Sequence, residues 1–93
     1  MKAADFCAEA ASLVSGDRQE THGDAGHNFE NIAAAWNFYL RTRRDYGEAL
    51  TSTDVAHMMA LLKITRTQLG AGSADNWIDA IGYLAIAGEL SEE

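Results

Sequence analysis

The absence of proline from all 93 residues is the feature that most narrows what this chain can fold into. Proline is the residue that a helix interior tolerates least, so this chain lacks the usual helix breaker. Alanine, the best helix former, is abundant in residues 3–11, 33–35 and 80–87. The sequence therefore predicts helices throughout. We expect one domain, residues 1–93, because a chain of this length has no room for a second core.

Apolar residues that return every three or four positions predict four helices, over about residues 3–14, 27–43, 53–69 and 75–90. The segment Thr51 to Asp54 has the composition of a helix cap, with Asp54 near the positive end of the helix dipole. Short connections place consecutive helices antiparallel. The predicted fold is therefore all-α, a small antiparallel four-helix bundle.

Each predicted helix has one apolar face. In chain order the faces are Phe6, Ala10, Leu13 and Val14; Phe29, Ile32, Ala33, Trp36 and Leu40; Val55, Met58, Met59, Leu62 and Leu69; and Trp77, Ile81, Leu84, Ala85 and Gly88. We expect both tryptophans in the core, with stacking on a base as the alternative. Further large apolar residues lie outside these faces, and so small a domain buries little surface. A homodimer or higher homo-oligomer is therefore expected.

The formal charge of −7 argues against general nucleic-acid binding, which requires a basic surface. It leaves small nucleotides open, because magnesium can bridge carboxylates to phosphates. The longest apolar runs are too short to span a membrane, so no membrane partner is expected. Acidic residues stand where a signal peptide has its apolar stretch, which favours a cytoplasmic protein. The single cysteine, Cys7, is interpreted as a small apolar residue.

Polar residues at helical spacing indicate a possible metal site. They are His27, Glu30 and Asn37 on the second helix, and Asp75, Asn76, Asp79 and Tyr83 on the fourth. If both sets point into the bundle, their oxygen donors suit Mg²⁺ or Mn²⁺. The alternatives are that Asp75 interacts with the helix dipole and that Glu30 is an exposed helix residue. Asp79 stands among apolar residues, so it lies at the edge of the face or is compensated by a cation.

The remaining basic and imidazole groups allow two interpretations. His57 and Lys63 fit a surface histidine and a lysine whose stem lies along apolar surface, or else ligand contacts. Arg41, Arg43 and Arg44 suit either the negative end of the second helix or a phosphate group.

Three motifs carry a resemblance to a known family. They are RQETHGDAGHNFENIAAAW, LTSTDVAHMMALLKITR and DNWIDAIGY, and the resemblance extends over about residues 17–88. They resemble a group of small phage and prophage proteins that looks like a branch of the MazG-like, all-α nucleoside triphosphate pyrophosphohydrolases. In those enzymes an E-E-x-x-E motif and an E-x-x-D motif hold magnesium, and the assembly is a dimer or tetramer.

The resemblance transfers only part of the metal motif to this chain. Glu30 matches the last acid of E-E-x-x-E, but Gly26 and His27 occupy the first two positions. Asp79 matches the acid of E-x-x-D, while Asn76 replaces its partner. The expected metal ligands are Glu30, Asp75, Asn76 and Asp79, with weakened affinity for magnesium and weakened activation of water.

The resemblance also implies a role for residues 16–30, GDRQETHGDAGHNFE. The loop in this segment is expected to lie over the nucleotide end of the site. Arg18 then meets phosphate, and His22 and Asp24 meet the sugar or base. The full set of residues expected to contact the nucleotide is Arg18, His22, Asp24, His27, Asn37, Lys63 and Tyr83.

Three functions follow as expectations. The first is capture of a nucleotide or nucleotide second messenger without efficient hydrolysis, as in a phage protein that sequesters a signal of host defence. The second is a magnesium-dependent nucleoside triphosphate pyrophosphohydrolase. The third is a structural or interaction protein that kept only the fold. The resemblance leaves open whether the chain is an enzyme, and it places the protein in the cytoplasm of a bacterial host.

Overall fold

The computed structural model describes residues 1–15, 25–68 and 74–92, and within these ranges every regular element is a helix. The helices are α1 (Ala3–Ser15), α2 (Ala25–Thr42), α3 (Ser52–Arg66) and α4 (Ala74–Ser91). Each end lies within three residues of its predicted position. The all-α, four-helix prediction is confirmed, and its reason is the one read from the sequence: continuous helical periodicity without proline.

The start of α3 is fixed by a capping box at Thr51. The Thr51 hydroxyl accepts a hydrogen bond from the backbone N–H of Asp54, and the Asp54 carboxylate accepts one from the backbone N–H of Thr51. Two N–H groups that the helix leaves unpaired are satisfied in this way. The cap predicted at this segment is confirmed. In the turn before it, Gly47 has a φ of 88°, which favours glycine.

Helices α2 and α3 run antiparallel, as their cross-helix contacts show. Near the end of α2, the Tyr39 hydroxyl contacts the first turns of α3. One turn earlier, Trp36 Nε1 donates a hydrogen bond of 2.7 Å to the carbonyl oxygen of Met58. At the start of α2, Asn28 lies beside Arg66 at the end of α3. The short connection after α3 makes α4 antiparallel to α3 as well.

The most extensive helix contact in the described chain joins α3 to α4, and small residues form it. The buried apolar residues are Ala56 and Ala60 on α3, Ala80 and Ala87 on α4, and Ile32 on α2. Alanine side chains let two helix backbones approach closely. No large side chain among the described residues is fully buried.

Two of the four predicted apolar faces are not buried in this chain. Every described residue of α1 is exposed. Helix α4 turns Asn76, Ala80 and Ala87 toward α3, which leaves its predicted apolar face outside. The expectation that Trp77 lies in the core is therefore wrong for the single chain: the residue is 62% exposed. Trp36, in contrast, is half-buried against α3.

Candidate functional site

The structure describes four of the seven residues predicted to contact a nucleotide. His27 and Asn37 are exposed on α2, whereas Lys63 on α3 and Tyr83 on α4 are half-buried. The other three, Arg18, His22 and Asp24, lie outside the described residues, as does most of the predicted loop. The proposed rim of the site therefore stays a prediction.

The predicted polar face of α2 points away from α3. Helix α2 packs through Ile32, Trp36 and Tyr39, and the opposite side carries His27, Glu30, Ala34 and Asn37, all of them exposed. The expectation that this set projects into the bundle is therefore wrong within one chain. The physical reason is that the larger apolar residues of α2 win the contact with α3.

The polar residues of α4 are placed nearer to α3. Asn76 is buried and Asp79 is half-buried, while Asp75 in the first turn is exposed. Asp79 Oδ2 lies 3.0 Å from Lys63 Nζ on α3. Of the two alternatives for this mid-helix carboxylate, compensation by a cation is the one that the structure shows, and the cation is a lysine side chain.

The predicted metal ligands do not gather into a ready cation site within one chain. The described residues contain no group of three or more histidine, cysteine, aspartate or glutamate side chains positioned to hold a metal ion. Glu30 is exposed on the outer side of α2, and Asp79 already pairs with an ammonium group. A Mg²⁺ or Mn²⁺ ion at Glu30, Asp75, Asn76 and Asp79 therefore stays a prediction, and no catalytic step is derived through it.

A buried polar cluster at the other end of α2 was not predicted as a unit. At its centre is the Asp54 carboxylate, which accepts hydrogen bonds from the Tyr39 hydroxyl (2.6 Å), Arg43 Nη2 (2.8 Å) and Thr51. The side chains of Arg43 and Asp54 are only 6% and 10% exposed. The only sequence signal for this cluster was the cap, because its other members come from α2 and the following turn.

The cluster shifts the pKa values of two of its members in opposite directions. The hydrogen bond from Tyr39 is the main reason that the pKa of Asp54 lies below its usual value, with the bond from the Thr51 backbone next. Burial, followed by the hydrogen bond to Asp54, raises the pKa of Tyr39 to about 12. Asp54 is therefore a carboxylate and Tyr39 a neutral phenol at neutral pH.

The same hydrogen bonds fix the tautomer of His57. The Tyr39 hydroxyl has one proton and gives it to the Asp54 carboxylate, yet its oxygen lies 2.9 Å from His57 Nδ1. Nδ1 must then carry a proton and donate it to the hydroxyl oxygen. In neutral His57 the acceptor nitrogen is consequently Nε2. His57 is thus a member of the cluster, not a surface histidine.

Arg43 has a structural role that excludes it from phosphate binding. Besides Asp54, its guanidinium donates hydrogen bonds to the carbonyl oxygens of Glu48 (2.8 Å) and Ala49 (3.3 Å). These contacts fasten the turn between α2 and α3. The alternative that the arginine cluster binds phosphate is therefore wrong for Arg43, while Arg41 and Arg44 are exposed.

A shallow cleft lies at the opposite end of the α2–α3 pair. It is open to solvent and is lined by Asn28 and Asn31 of α2 and by Thr65 and Arg66 of α3. Lys63 stands in the same last turn of α3. The N-termini of α2 and α4 are at this end too, and helix N-termini carry partial positive charge. Arg66 ends the second of the three motifs, but no role was predicted for it from the sequence.

The family model that matches this chain is described as "Domain of unknown function (DUF6378)", and it covers residues 5–91. Two similar curated proteins are both named "Gene 55 protein". The one from Mycobacterium phage L5 is 38% identical over 77 residues, which are 83% of this chain and 46% of that protein. The one from Mycobacterium phage D29 is 31% identical over 85 residues, which are 91% of this chain and 52% of that protein.

This chain thus spans about half the length of those two phage proteins. No solved structure matches it. The resemblance to phage proteins is confirmed, whereas the MazG-like assignment stays a prediction. Within the described ranges, none of the helices combines the length and the apolar content that crossing a bilayer requires.

Proposed function

We propose that this chain captures a small nucleotide or nucleotide second messenger without efficient hydrolysis. The chain belongs to the DUF6378 family, and the similar proteins come from phages. The observation that carries the proposal is a group of phosphate-binding donors at one end of an acidic chain, where Lys63 also pairs with Asp79. Lys63, Arg66 and the N-termini of α2 and α4 share that end. Phosphate groups are the natural ligands of such an arrangement.

The cleft beside Arg66 supplies one part of the proposed binding site. It is a shallow depression that encloses no cavity, so it offers a ligand contacts along its surface and does not surround it. A phosphate or sugar group that lies across this surface is expected to meet Arg66 and the amide group of Asn31. Contacts with the rest of the nucleotide are assigned to the segment that joins α1 to α2. This segment contains Arg18, His22 and Asp24.

Capture is favoured over turnover by the distribution of the carboxylates. Pyrophosphohydrolysis with paired metal ions requires several closely placed anionic ligands, which neutralise the phosphates and activate a water. Here Asp79 pairs with Lys63, and Glu30 is exposed on the far side of α2. His27 and Asn76 contribute no negative charge at the positions where the resemblance expects acids. The arrangement within one chain thus supports binding of the phosphates more than attack on them.

Replacing Arg66 tests the location of the proposed site. Arg66→Ala removes a charged donor from the cleft and is expected to weaken nucleotide binding by about tenfold or more, the size of one charge-assisted hydrogen bond. Isothermal titration calorimetry with nucleoside triphosphates and with cyclic di- and trinucleotides measures the affinity. Arg18→Ala and His22→Ala are expected to weaken binding in the same assay.

The matched control is Arg41→Ala, because Arg41 is exposed near the opposite end of α2. Its removal changes the net charge equally and is expected to leave the affinity nearly unchanged. Equal losses in the two arginine variants would show only a general effect of charge. Absence of binding by the unmodified protein to every ligand of the panel would leave the structural or interaction protein as the better interpretation.

The capturing species is proposed to be a homodimer or higher homo-oligomer. Support comes from the exposed large apolar side chains on every helix, among them Phe6, Phe38, Val55 and Trp77. Multi-angle light scattering at micromolar concentration is expected to give at least twice the 10.1 kDa mass of one chain. A particle of 10 kDa across the micromolar range would contradict this part of the proposal.

A further inference from the structure

Helix α4 has an apolar stripe that no other described residue of the chain covers. The stripe consists of Ala74, Trp77, Ile78, Ile81, Leu84, Ala85 and Gly88, which share one side of the helix at 3.6 residues per turn. All seven are exposed, and the residues Trp77, Ile78 and Ile81 are each more than 60% exposed. None of the seven is charged. Asp75 and Asp79 lie on other sides of the helix.

The surface area of the chain is larger than that of a compact monomer, and the exposed helix α1 and the α4 stripe both contribute to the difference. One chain exposes 6903 Å², whereas a monomeric protein of 10.1 kDa exposes about 5,300 Å². The excess is about 1,600 Å², roughly twice the 800 Å² that each partner contributes to a standard interface. The radius of gyration, 15.8 Å, also exceeds the value of about 12 Å for a compact domain of this length.

We infer that a second copy of this chain covers the α4 stripe, in a two-fold interface that packs stripe against stripe. An uncharged, apolar stripe requires an apolar partner surface, and this chain presents one of matching length. A two-fold axis brings the same patch of both copies together, so one stripe is enough to build the contact. This inference rests on the proposed homo-oligomer and names the surface that forms it.

Two glycines of α4 make a matched test of this interface. A Cβ atom added at Gly88 or at Gly82 meets nothing within 4 Å in the isolated chain. Both residues are also exposed, so a leucine at either position can extend into solvent in the isolated chain, and either change raises helix propensity. Gly88 is in the stripe, whereas Gly82 lies about 120° away around the helix. Gly88→Leu and Gly82→Leu are therefore expected to differ in assembly only if a partner helix packs on the stripe.

Light scattering and sedimentation equilibrium of the full chain measure the outcome. Gly88→Leu and Ile81→Glu are expected to raise the dissociation constant of the dimer by about tenfold or more, while Gly82→Leu leaves it unchanged. Circular dichroism confirms that each variant is helical. If Gly88→Leu and Ile81→Glu assemble as tightly as the unmodified chain, the stripe is not the interface, even though the oligomer and nucleotide capture stand.

Trp77 gives a second readout that separates a partner copy from a stacked base. In a Trp36→Phe background, the fluorescence of Trp77 reports on the stripe alone. Burial by a second copy predicts an emission that shifts to shorter wavelength as protein concentration rises, with no nucleotide present. A shift that requires nucleotide and is independent of protein concentration would overturn the inference and assign the stripe to base stacking.

Discussion

Asp54→Ala is expected to lower the free energy of unfolding by about 3–5 kcal/mol, the cost of removing one partner from a buried ion pair. The Arg43 guanidinium then stays buried without its carboxylate, and the Tyr39 hydroxyl and the Thr51 cap lose their acceptor. Small domains are stable by only about 5–15 kcal/mol, so the loss is a large fraction of the total. Urea unfolding followed by circular dichroism, at fixed protein concentration, measures it.

The control for this change is Asp45→Ala, which removes an exposed carboxylate from the turn after α2. Its effect is expected to stay within about 0.5 kcal/mol, as for most surface substitutions. Tyr39→Phe should fall between the two, because it removes one hydrogen bond to a charged acceptor and leaves the ion pair. Equal midpoints for Asp54→Ala and Asp45→Ala would mean that the buried cluster does not stabilise the fold.

The pH dependence of stability should carry the signature of the same cluster. The pKa of Asp54 is lower in the folded state, so its contribution is present above the unfolded value of about 3.9 and is lost as the pH falls through the folded value. The pKa of Tyr39 is raised to about 12, so its contribution is present below about 10 and is lost as the pH rises toward 12.

Ala60→Leu is expected to destabilise the chain by about 1–3 kcal/mol or more, because it places extra carbon atoms where two helices meet closely. Ala60 is 1% exposed in the packed pair of α3 and α4, and Ala87 across that pair is equally buried. The urea midpoint should fall without a change in slope. Ala34→Leu, at an exposed position of α2, is the matched control and should be nearly neutral. A neutral Ala60→Leu would contradict the close packing of α3 on α4.

The sequence predicted the helices well because helix formation depends on local signals. Periodicity, the absence of proline and the cap at Thr51 act within a few residues of each other. The orientation of α4 was not predicted correctly, because its larger apolar residues predict that the face with Trp77 and Ile81 packs against the other helices. The face that packs on α3 instead consists of Asn76, Ala80 and Ala87, where small side chains allow close approach.

The candidate site was less predictable because it depends on contacts between helices. Periodicity grouped Glu30 with His27 and Asn37 but could not tell whether that face points inward. The apolar neighbours of Asp79 predict that its carboxylate needs compensation, but no local pattern pairs it with Lys63 on another helix. Arg43 and His57 could join the Asp54 cluster only after α2 and α3 were placed side by side.

The fate of the bound nucleotide is the most direct test of capture without turnover. The protein is incubated with each candidate nucleotide and Mg²⁺ or Mn²⁺, separated from free ligand and denatured, and the released ligand is identified by chromatography and mass spectrometry. We predict a bound ligand recovered intact in stoichiometric amount, with no pyrophosphate formed. Rapid release of pyrophosphate from a nucleoside triphosphate, abolished by Glu30→Ala or Asp79→Ala, would contradict capture and identify a metal-dependent pyrophosphohydrolase.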